Sequence, residues 1–209
     1  MAHAGKFMMT RHKSKKHIVV ITGSARPNNF TMKAVRILAD ELKKITSITF
    51  EIIDAATLTL PLPGTSYKDS SHEMLKEKVL DATGIILASP EYHGGISSVM
   101  KLIIDHLGFP SVLAGKPIAL LGVAAGSIGA IKSLEQIRSI CSHVGAIVLP
   151  RPISIANIQD IFDAKGHCKD KLSEKNIRSV ATLLVDYIDR HICPRIALEN
   201  LVRKEKKGI

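Results

Sequence analysis

The 209-residue chain contains no tryptophan, and aromatic residues make up only 4% of it. Proteins that bind single-stranded nucleic acid need aromatic side chains on which bases stack, so this composition predicts no such surface. No apolar run reaches the roughly 18 residues that a membrane-spanning helix requires. The N-terminus also lacks the apolar segment of a secretory signal. These absences favour a globular protein that neither spans a membrane nor binds nucleic acid.

The three cysteines, Cys141, Cys168 and Cys193, are odd in number and widely spaced. They contain no CxxC pair, so they predict neither a disulfide framework nor a zinc site. Such a set is typical of a reducing compartment. We therefore predict a cytoplasmic protein without a bound metal.

Most of the net charge of +10 lies at the two ends of the chain. Residues 1–17 carry five basic and no acidic residues, and residues 190–209 carry six basic and two acidic ones. The segment 18–189 between them is nearly neutral, at +1. We predict that the basic ends are solvated tails rather than a nucleic-acid-binding face.

Buried strands and amphipathic helices alternate along the rest of the chain. Apolar runs predict strands at 18–21, 48–54, 84–89, 117–123 and 147–150. Helical periodicity predicts helices at 31–45, 72–79, 96–107, 131–144 and 173–189, the last capped by Ser173. Residues 151–172 are predicted as loop. This alternation predicts a single α/β domain, a parallel sheet with helices on both faces.

Three polar or small-residue loops follow predicted strands, at 23–31, 90–97 and 124–130. In parallel sheets, ligands bind at the carboxyl ends of the strands. The first loop combines glycine, hydroxyl and amide side chains with an arginine and precedes a helix. Free amides and a positive dipole end make this arrangement a candidate phosphate site, although an ordinary capped turn would have a similar sequence.

Three segments together resemble the NADPH-dependent FMN reductase family in order and spacing: GSARPNNF, SPEYHGGISSVMKLIID and KPIALLGVAAGSIGAIKSLEQIRSICSHVGAIVLP. The resemblance covers about residues 17–155, and its most specific part is PEYHGG with the helix after it. It implies a flavodoxin-like three-layer fold, with a five-stranded parallel sheet and helices on both faces. It also implies a flavodoxin-like FMN-binding domain at 17–190, between a basic tail at 1–16 and a basic extension at 191–209.

The same resemblance implies a non-covalent FMN reduced by NADPH, with NADH as an alternative donor. The residues implied at the FMN phosphate are Ser24, Arg26, Asn29 and Thr31. Those implied around the flavin ring are Pro90, Glu91, Tyr92, His93, Gly94, Ala125, Gly126 and Ser127. The chain departs from the family in having Asn29 for the usual serine, His93 where many members have asparagine, and Ala125 for a glycine.

The implied function is an FMN-dependent NAD(P)H oxidoreductase with ping-pong hydride transfer to a small acceptor: free FMN, a quinone, an azo compound or chromate. The flavin carries the hydride, so no catalytic acid, base or nucleophile is expected from the protein. Two alternatives stay open, a flavodoxin-type electron carrier and a tail-mediated binder of anionic surfaces or nucleic acid. A carrier is expected to have an acidic surface and aromatic residues beside the ring, whereas this chain is basic and poor in aromatics.

The predicted helix 96–107 is apolar over an unusually wide arc, which predicts burial on two sides. In the family that the chain resembles, this helix packs between subunits near the flavin. We therefore expect a homodimer or a homotetramer. The alternative is a monomer in which residues 173–200 cover this helix.

Overall fold

The computed structural model of the protein describes residues 16–65, 68 and 71–207. The predicted tail 1–16 lies outside the described residues except for Lys16. The strands are β1 (Lys16–Thr22), β2 (Ile48–Ile53), β3 (Gly84–Tyr92), β4 (Gly95–Ile96), β5 (Pro117–Val123), β6 (Ile147–Val148) and β7 (Ile153–Ile155). The helices are α1 (Phe30–Lys43), α2 (His72–Asp81), α3 (Ser98–Asp105), α4 (Ile131–His143), α5 (Ile158–Ile161), α6 (Lys171–Tyr187) and α7 (Cys193–Lys207), with a 3-10 turn at Ala55–Thr57 and a π-helical turn at Ile188–Ile192.

The parallel sheet has the strand order β2-β1-β3-β5, and β6 and β7 share the position beyond β5. β6 pairs with the start of β5, and β7 pairs with its end. This is the flavodoxin-like order, so the predicted five-stranded parallel sheet is confirmed, with its fifth strand in two pieces. The chain direction across the sheet reverses between β1 and β3, the switch point at which such folds bind ligands.

The central strands are apolar throughout because both faces of the sheet are covered. On one face, Ile18 and Val20 belong to a core cluster with residues of α1 and α6. On the other face, Val19 and Ile21 belong to a cluster with residues of α2, α3 and α4. The predicted three-layer arrangement is therefore confirmed. The helix α6 packs on the face of the sheet opposite α3. The alternative in which residues 173–200 cover α3 was therefore wrong for the part of that segment that forms α6.

The prediction that 151–172 is entirely loop was wrong, because β7 and α5 lie within it. The fifth strand was expected to end at Pro150, but it resumes after a short break. Pro150 and Pro152 have no amide to donate to β5, and Arg151 between them has a left-handed φ of +61°. The chain then returns to the sheet at β7, beside the carboxyl end of β5.

The last long helix also differs from the prediction at both ends. Its N-cap is Asp170 rather than Ser173, because the Asp170 carboxylate accepts the amides of Leu172 and Ser173. The helix was expected to end near Asp189, but it continues through the π-helical turn into α7. The division of the chain at residue 190 stays a prediction. Among the described residues, no helix is both long and apolar enough to cross a membrane.

Candidate active site

The three predicted loops lie together at the carboxyl edge of the sheet. Residues 23–29 follow β1, 90–97 include the end of β3, and 124–130 follow β5. Since β1, β3 and β5 are neighbours in the sheet, the loops at their carboxyl ends are neighbours too. The topology itself therefore assembles the predicted site residues.

The first and second loops are joined by contacts to the ring of Tyr92. The hydroxyls of Ser24 and Tyr92 share a hydrogen bond of 3.2 Å, and Ser24 is buried. The guanidinium carbon of exposed Arg26 lies 4.3 Å from the Tyr92 ring centroid. Within the described part of the chain, Arg26 has no carboxylate partner. A cation placed on an aromatic face and free of acidic partners is available to an anionic ligand.

The first turn of α1 supplies further donors to the same loop. The amides of Phe30 and Thr31 have no acceptor within the helix, because they precede its first hydrogen bond. The turn contains no acidic residue. Asn29 is the N-cap: its Oδ1 accepts the amide of Met32 at 2.8 Å, and its Nδ2 donates to the carbonyl of Arg26 at 2.7 Å. The side chain of Asn29 thus shapes the loop, and its predicted bond to a phosphate stays a prediction.

The second loop is a tight β-hairpin in which β4 runs antiparallel to the end of β3. Tyr92 lies opposite Gly95, with His93 and Gly94 forming the turn between them. Both turn residues are left-handed, with φ values of +51° and +70°. A turn with two such residues is type I′, which favours asparagine and glycine. This explains physically why asparagine suits the position that the exposed side chain of His93 occupies here.

The prediction that Pro90 ends the third strand was wrong. Pro90 lies opposite Val123 of β5, and β3 continues to Tyr92 because β4 pairs with its last residues. The missing amide of Pro90 does not interrupt the strand. Its carbonyl accepts the hydroxyls of Ser89 at 2.9 Å and Ser133 at 3.3 Å. Pro90 is therefore a buried part of the sheet rather than a loop residue.

Glu91 has a structural partner in α4. Its Oε2 accepts the amide of Ser133 at 3.0 Å, in the first turn of that helix. The N-cap residue Ala130 offers no side-chain hydrogen bond, so the Glu91 carboxylate supplies the cap from a neighbouring strand. A carboxylate at this position also stabilises the helix dipole. The predicted contact of Glu91 with a cofactor stays a prediction.

The third loop is held from its inner side by residues that follow β7. The carbonyl of Ala125 accepts Nε2 of Gln159 at 3.2 Å, and that of Gly126 accepts the amide of Asn157 at 3.3 Å. Ala125, Gly126 and Ser127 are themselves exposed. The loop is thus fixed by its carbonyls and presents a surface of small residues at the carboxyl edge.

Ser97 is a positioning residue that the sequence analysis missed. Its hydroxyl donates to the carbonyl of Gly23 at 2.6 Å and accepts the amide of Met100 at 3.1 Å, so it caps α3 and ties this helix to the first loop. Gly23 fits because an added Cβ would lie 2.9 Å from the Met100 Cβ. A serine before an amphipathic helix is an N-cap signal, which could have identified the capping of α3 but not the bond to Gly23.

Two further side chains connect the loops across long sequence separations. Oε1 of Gln136, on α4, accepts the amide of Ile96 in the hairpin at 2.8 Å. Oγ of Ser154, on β7, accepts the amide of Ala130 at 2.8 Å. No local pattern marks either residue, because a lone polar side chain on a helix or strand usually faces solvent.

The donors at the first loop fit a phosphate monoester. A guanidinium, a hydroxyl and free helix N-terminal amides, here Arg26, Ser24 and the start of α1, are the kinds of group that suit a terminal phosphate. The two glycines of the hairpin, Gly94 and Gly95, and the small residues of the third loop leave room for a flat ring beside the backbone. The residues present therefore fit FMN, with the phosphate at 24–31 and the ring between the second and third loops.

A parallel sheet of this order, with a helix N-terminus and small-residue loops at its switch point, is typical of flavodoxin-like proteins. The family model of the NADPH-dependent FMN reductases matches residues 17–160. The chain belongs to this family. It is accordingly an FMN- and NADPH-dependent oxidoreductase.

Two curated relatives are similar over most of the chain. An FMN-dependent NADPH-azoreductase of Staphylococcus aureus (strain USA300) is 30% identical over 176 residues, which cover 81% of this chain and 92% of that protein. A 2-hydroxy-1,4-benzoquinone reductase of a Burkholderia species is 26% identical over 169 residues, covering 78% of this chain and 90% of that protein. Their names describe an azoreductase and a benzoquinone reductase.

Solved structures support the fold. FerB, a flavoenzyme NAD(P)H:(acceptor) oxidoreductase from Paracoccus denitrificans, aligns with a TM-score of 0.70 at 23% identity, over 84% of this chain and 98% of that one. A flavodoxin from the domain Archaea aligns with a TM-score of 0.61 at 12% identity, over 83% and 99% of the two chains. The flavodoxin-like prediction is confirmed, and the family match favours the enzyme over the electron carrier.

Proposed function

We propose that this FMN-dependent reductase binds the FMN phosphate through Ser24, Arg26, Thr31 and the amides at the start of α1. The observation that carries the proposal is the contact of Arg26 and Ser24 with Tyr92, which joins the first loop to the hairpin. Because one aromatic ring contacts both phosphate-binding side chains, the phosphate loop and the ring-binding loop are positioned as one unit.

The protein's contribution to the reaction is to bind and orient. FMN, when bound, would supply the chemistry of hydride transfer between NADPH and an acceptor. The hairpin turn at 92–95, which includes the exposed His93, would hold the ring from one side. Backbone amides of Ala125, Gly126 and Ser127 are the donors proposed to stabilise negative charge at the pyrimidine edge. Glu91 acts there indirectly, by fixing α4 against the hairpin.

The acceptor that we propose is a quinone or an azo compound. The two curated relatives carry those names, and both match most of this chain. Gly94, Gly95 and the small residues of the third loop leave room beside the site, which suits a planar acceptor. Steady-state kinetics with a benzoquinone, an azo dye, chromate and free FMN would rank these acceptors. A parallel-line pattern is expected for ping-pong exchange.

The phosphate site is tested by comparing Arg26→Ala with Arg36→Ala. Both arginines are exposed on or beside α1, but Arg36 lies away from the loop. Removing a charge-assisted hydrogen bond should weaken FMN binding about ten- to a hundredfold for Arg26→Ala, with little change for Arg36→Ala. Equilibrium dialysis and the visible absorption spectrum measure this. Equal affinity of the wild-type protein for FMN and riboflavin would argue against the site.

We also propose a homodimer formed through the outer faces of α3 and α4. A groove of about 560 Å³ runs between these helices, lined in part by Lys101, Ile104 and Ile140. Phe109 borders it and is 95% exposed, an unusual state for a large aromatic side chain. Two copies related by a twofold axis would bury both phenylalanines.

Light scattering tests the dimer, with Phe109→Ser as the variant and Leu172→Ser, an exposed apolar residue at the start of α6, as a control. A mass of twice the 22.7 kDa of one chain is expected for the wild type, and a lower mass for Phe109→Ser. A wild-type monomer with full FMN content would contradict the dimer and leave the phosphate site unaffected. A cytoplasmic location is proposed from the three free thiols, and cell fractionation tests it.

A further inference from the structure

The C-terminal helix α7 lies beyond residue 160, where the family match ends. It contacts the domain at its start, where Cys193 and Ile196 pack against the core cluster on the α1 and α6 face. From there it continues for about 15 residues, a length of roughly 22 Å. The helix is therefore attached at one end, and most of its length extends from the domain.

The outer part of α7 has an exposed apolar stripe. Leu198, Leu201 and Val202 are 63%, 57% and 49% exposed, and their spacing of i, i+3 and i+4 places them on one side of the helix. Apolar side chains of this size are normally buried when they recur at helical spacing. The stripe of Leu198, Leu201 and Val202 is thus a surface that suits contact with an apolar partner.

The same helix is basic. Its 15 residues include five lysines and arginines and two glutamates, so it carries a net charge of +3. The amphipathic pattern of a leucine-rich stripe on a lysine- and arginine-rich helix is typical of helices that lie on an anionic membrane surface. The apolar side chains enter the headgroup region there, and the basic side chains contact lipid phosphates and carboxylates.

The start of α7 lies beside the amino end of β1. Lys16, the first described residue, pairs with Asp189 in the π-helical turn at an Nζ–Oδ1 distance of 2.6 Å. The ion pair therefore holds two attachment points together, the start of α7 and the amino end of β1.

These attachment points lie at the amino edge of the sheet, opposite the flavin site. Ile188 of the π-helical turn contacts Gly84, the first residue of β3, whose other end carries the hairpin. A surface bound by α7 would thus approach the protein from the side away from the three loops. The site would stay open to NADPH and acceptor.

We propose that α7 docks the protein on an anionic phospholipid bilayer. A second copy of α7 is a poorer partner, because two helices of charge +3 repel each other at close range. Nucleic acid would neutralise the positive charge of α7, but its phosphate backbone would not bury the exposed leucines and valine. The bilayer is the partner that matches both properties.

Co-sedimentation of the full-length protein with vesicles tests this. Vesicles of phosphatidylcholine alone are compared with vesicles of equal parts phosphatidylcholine and phosphatidylglycerol. Affinity for the anionic vesicles should be at least about tenfold higher and should fall as salt is added. The variant Leu198→Ser/Leu201→Ser keeps every charge and should lose at least about tenfold in affinity. The matched control Leu62→Ser/Leu172→Ser changes two leucines that are 70% and 65% exposed elsewhere, and should bind as the wild type does.

Four other results of these experiments would each overturn the proposal. Wild-type protein that fails to sediment with anionic vesicles at low salt has no bilayer affinity. Equal binding by the Leu198→Ser/Leu201→Ser variant would mean that charge alone attracts the protein and that the stripe makes no contact. Binding to duplex DNA without binding to vesicles would identify nucleic acid as the partner, and a fall in mass of the serine variant without vesicle binding would identify a second copy. The FMN spectrum of each variant reports folding and is independent of the vesicle result.

Discussion

The two edges of the sheet are built from the same strands, but different interactions complete them. At the carboxyl edge the first loop is tied to its neighbours by neutral hydrogen bonds, such as Ser97 to Gly23 and Ser24 to Tyr92, and Arg26 has no carboxylate partner among the described residues. At the amino edge, charged side chains already bind other groups of the protein. Lys16 pairs with Asp189, and Nζ of Lys116 donates to two backbone carbonyls at the end of α2.

This difference indicates how a binding edge is separated from a structural one. A cation that is already paired gains little from a ligand, because it must give up its partner first. Neutral hydrogen bonds can fix a loop and leave a charged side chain unpaired, so that it can bind a ligand of opposite charge. The edge with the unpaired arginine is therefore the edge at which we propose the phosphate site, and at the amino edge the charged side chains hold the fold.

The largest expected effect comes from comparing Gly23→Ala with Gly84→Ala, one glycine at each edge. A Cβ at Gly23 would meet the Met100 Cβ at 2.9 Å, an atom fixed to the α3 backbone. A Cβ at Gly84 would meet the Ile188 Cδ1 at 2.7 Å, the movable end of a side chain. Gly23→Ala should therefore cost about 1–3 kcal/mol of unfolding free energy and weaken FMN binding, whereas Gly84→Ala should cost less. Urea denaturation and FMN titration of both variants measure this, and equal costs would contradict the comparison.

The next effect is a pH dependence at the amino edge. Burial lowers the pKa of Lys116 to about 8, and the nearby Asp81 carboxylate opposes this shift only in part. Below pH 8 both the folded and the unfolded chain hold the proton. Between about 8 and the ordinary value of 10.5, only the unfolded chain still holds it, so the contribution of Lys116 to stability rises with pH across this window.

Lys116→Met removes this titration. The unfolding free energy of the wild type, measured relative to the variant, should therefore rise by on the order of 2 kcal/mol between about pH 7 and 10. Other titrating groups are common to both proteins and cancel in the difference. A difference that stays constant with pH would mean that the Lys116 ammonium is solvated despite its two carbonyl partners.

The smallest effect distinguishes two roles of Glu91 at the carboxyl edge. If Glu91 acts as the cap of α4, Glu91→Ala should lower stability by about 0.5–2 kcal/mol, and Glu91→Gln, which keeps an acceptor for the Ser133 amide, should lower it less. The FMN dissociation constant of Glu91→Gln should then be unchanged. A large loss of FMN affinity in Glu91→Gln would instead assign the carboxylate to the cofactor. Chemical denaturation and flavin titration separate the two.

Much of the fold could be predicted because its signals are local. The strands of the centre are continuous apolar runs, and α1 and α4 have clear apolar periodicity, so their positions agree with the structure to within a few residues. The failures lie where distant residues decide. Pro90 does not end β3 because β4 pairs beyond it, and β7 forms because β5 leaves a vacant edge after Pro152.

The sequence alone determined the alternation of strands and helices, the three loops and the family, because hydrophobic periodicity and short motifs are carried by neighbouring residues. Only the tertiary structure decided what each loop residue does. It assigned Glu91 to α4, placed Arg26 on Tyr92, and gave Ser97, Gln136 and Ser154 their roles between the loops. These contacts join residues up to 74 positions apart, and such a distance leaves no trace in local pattern.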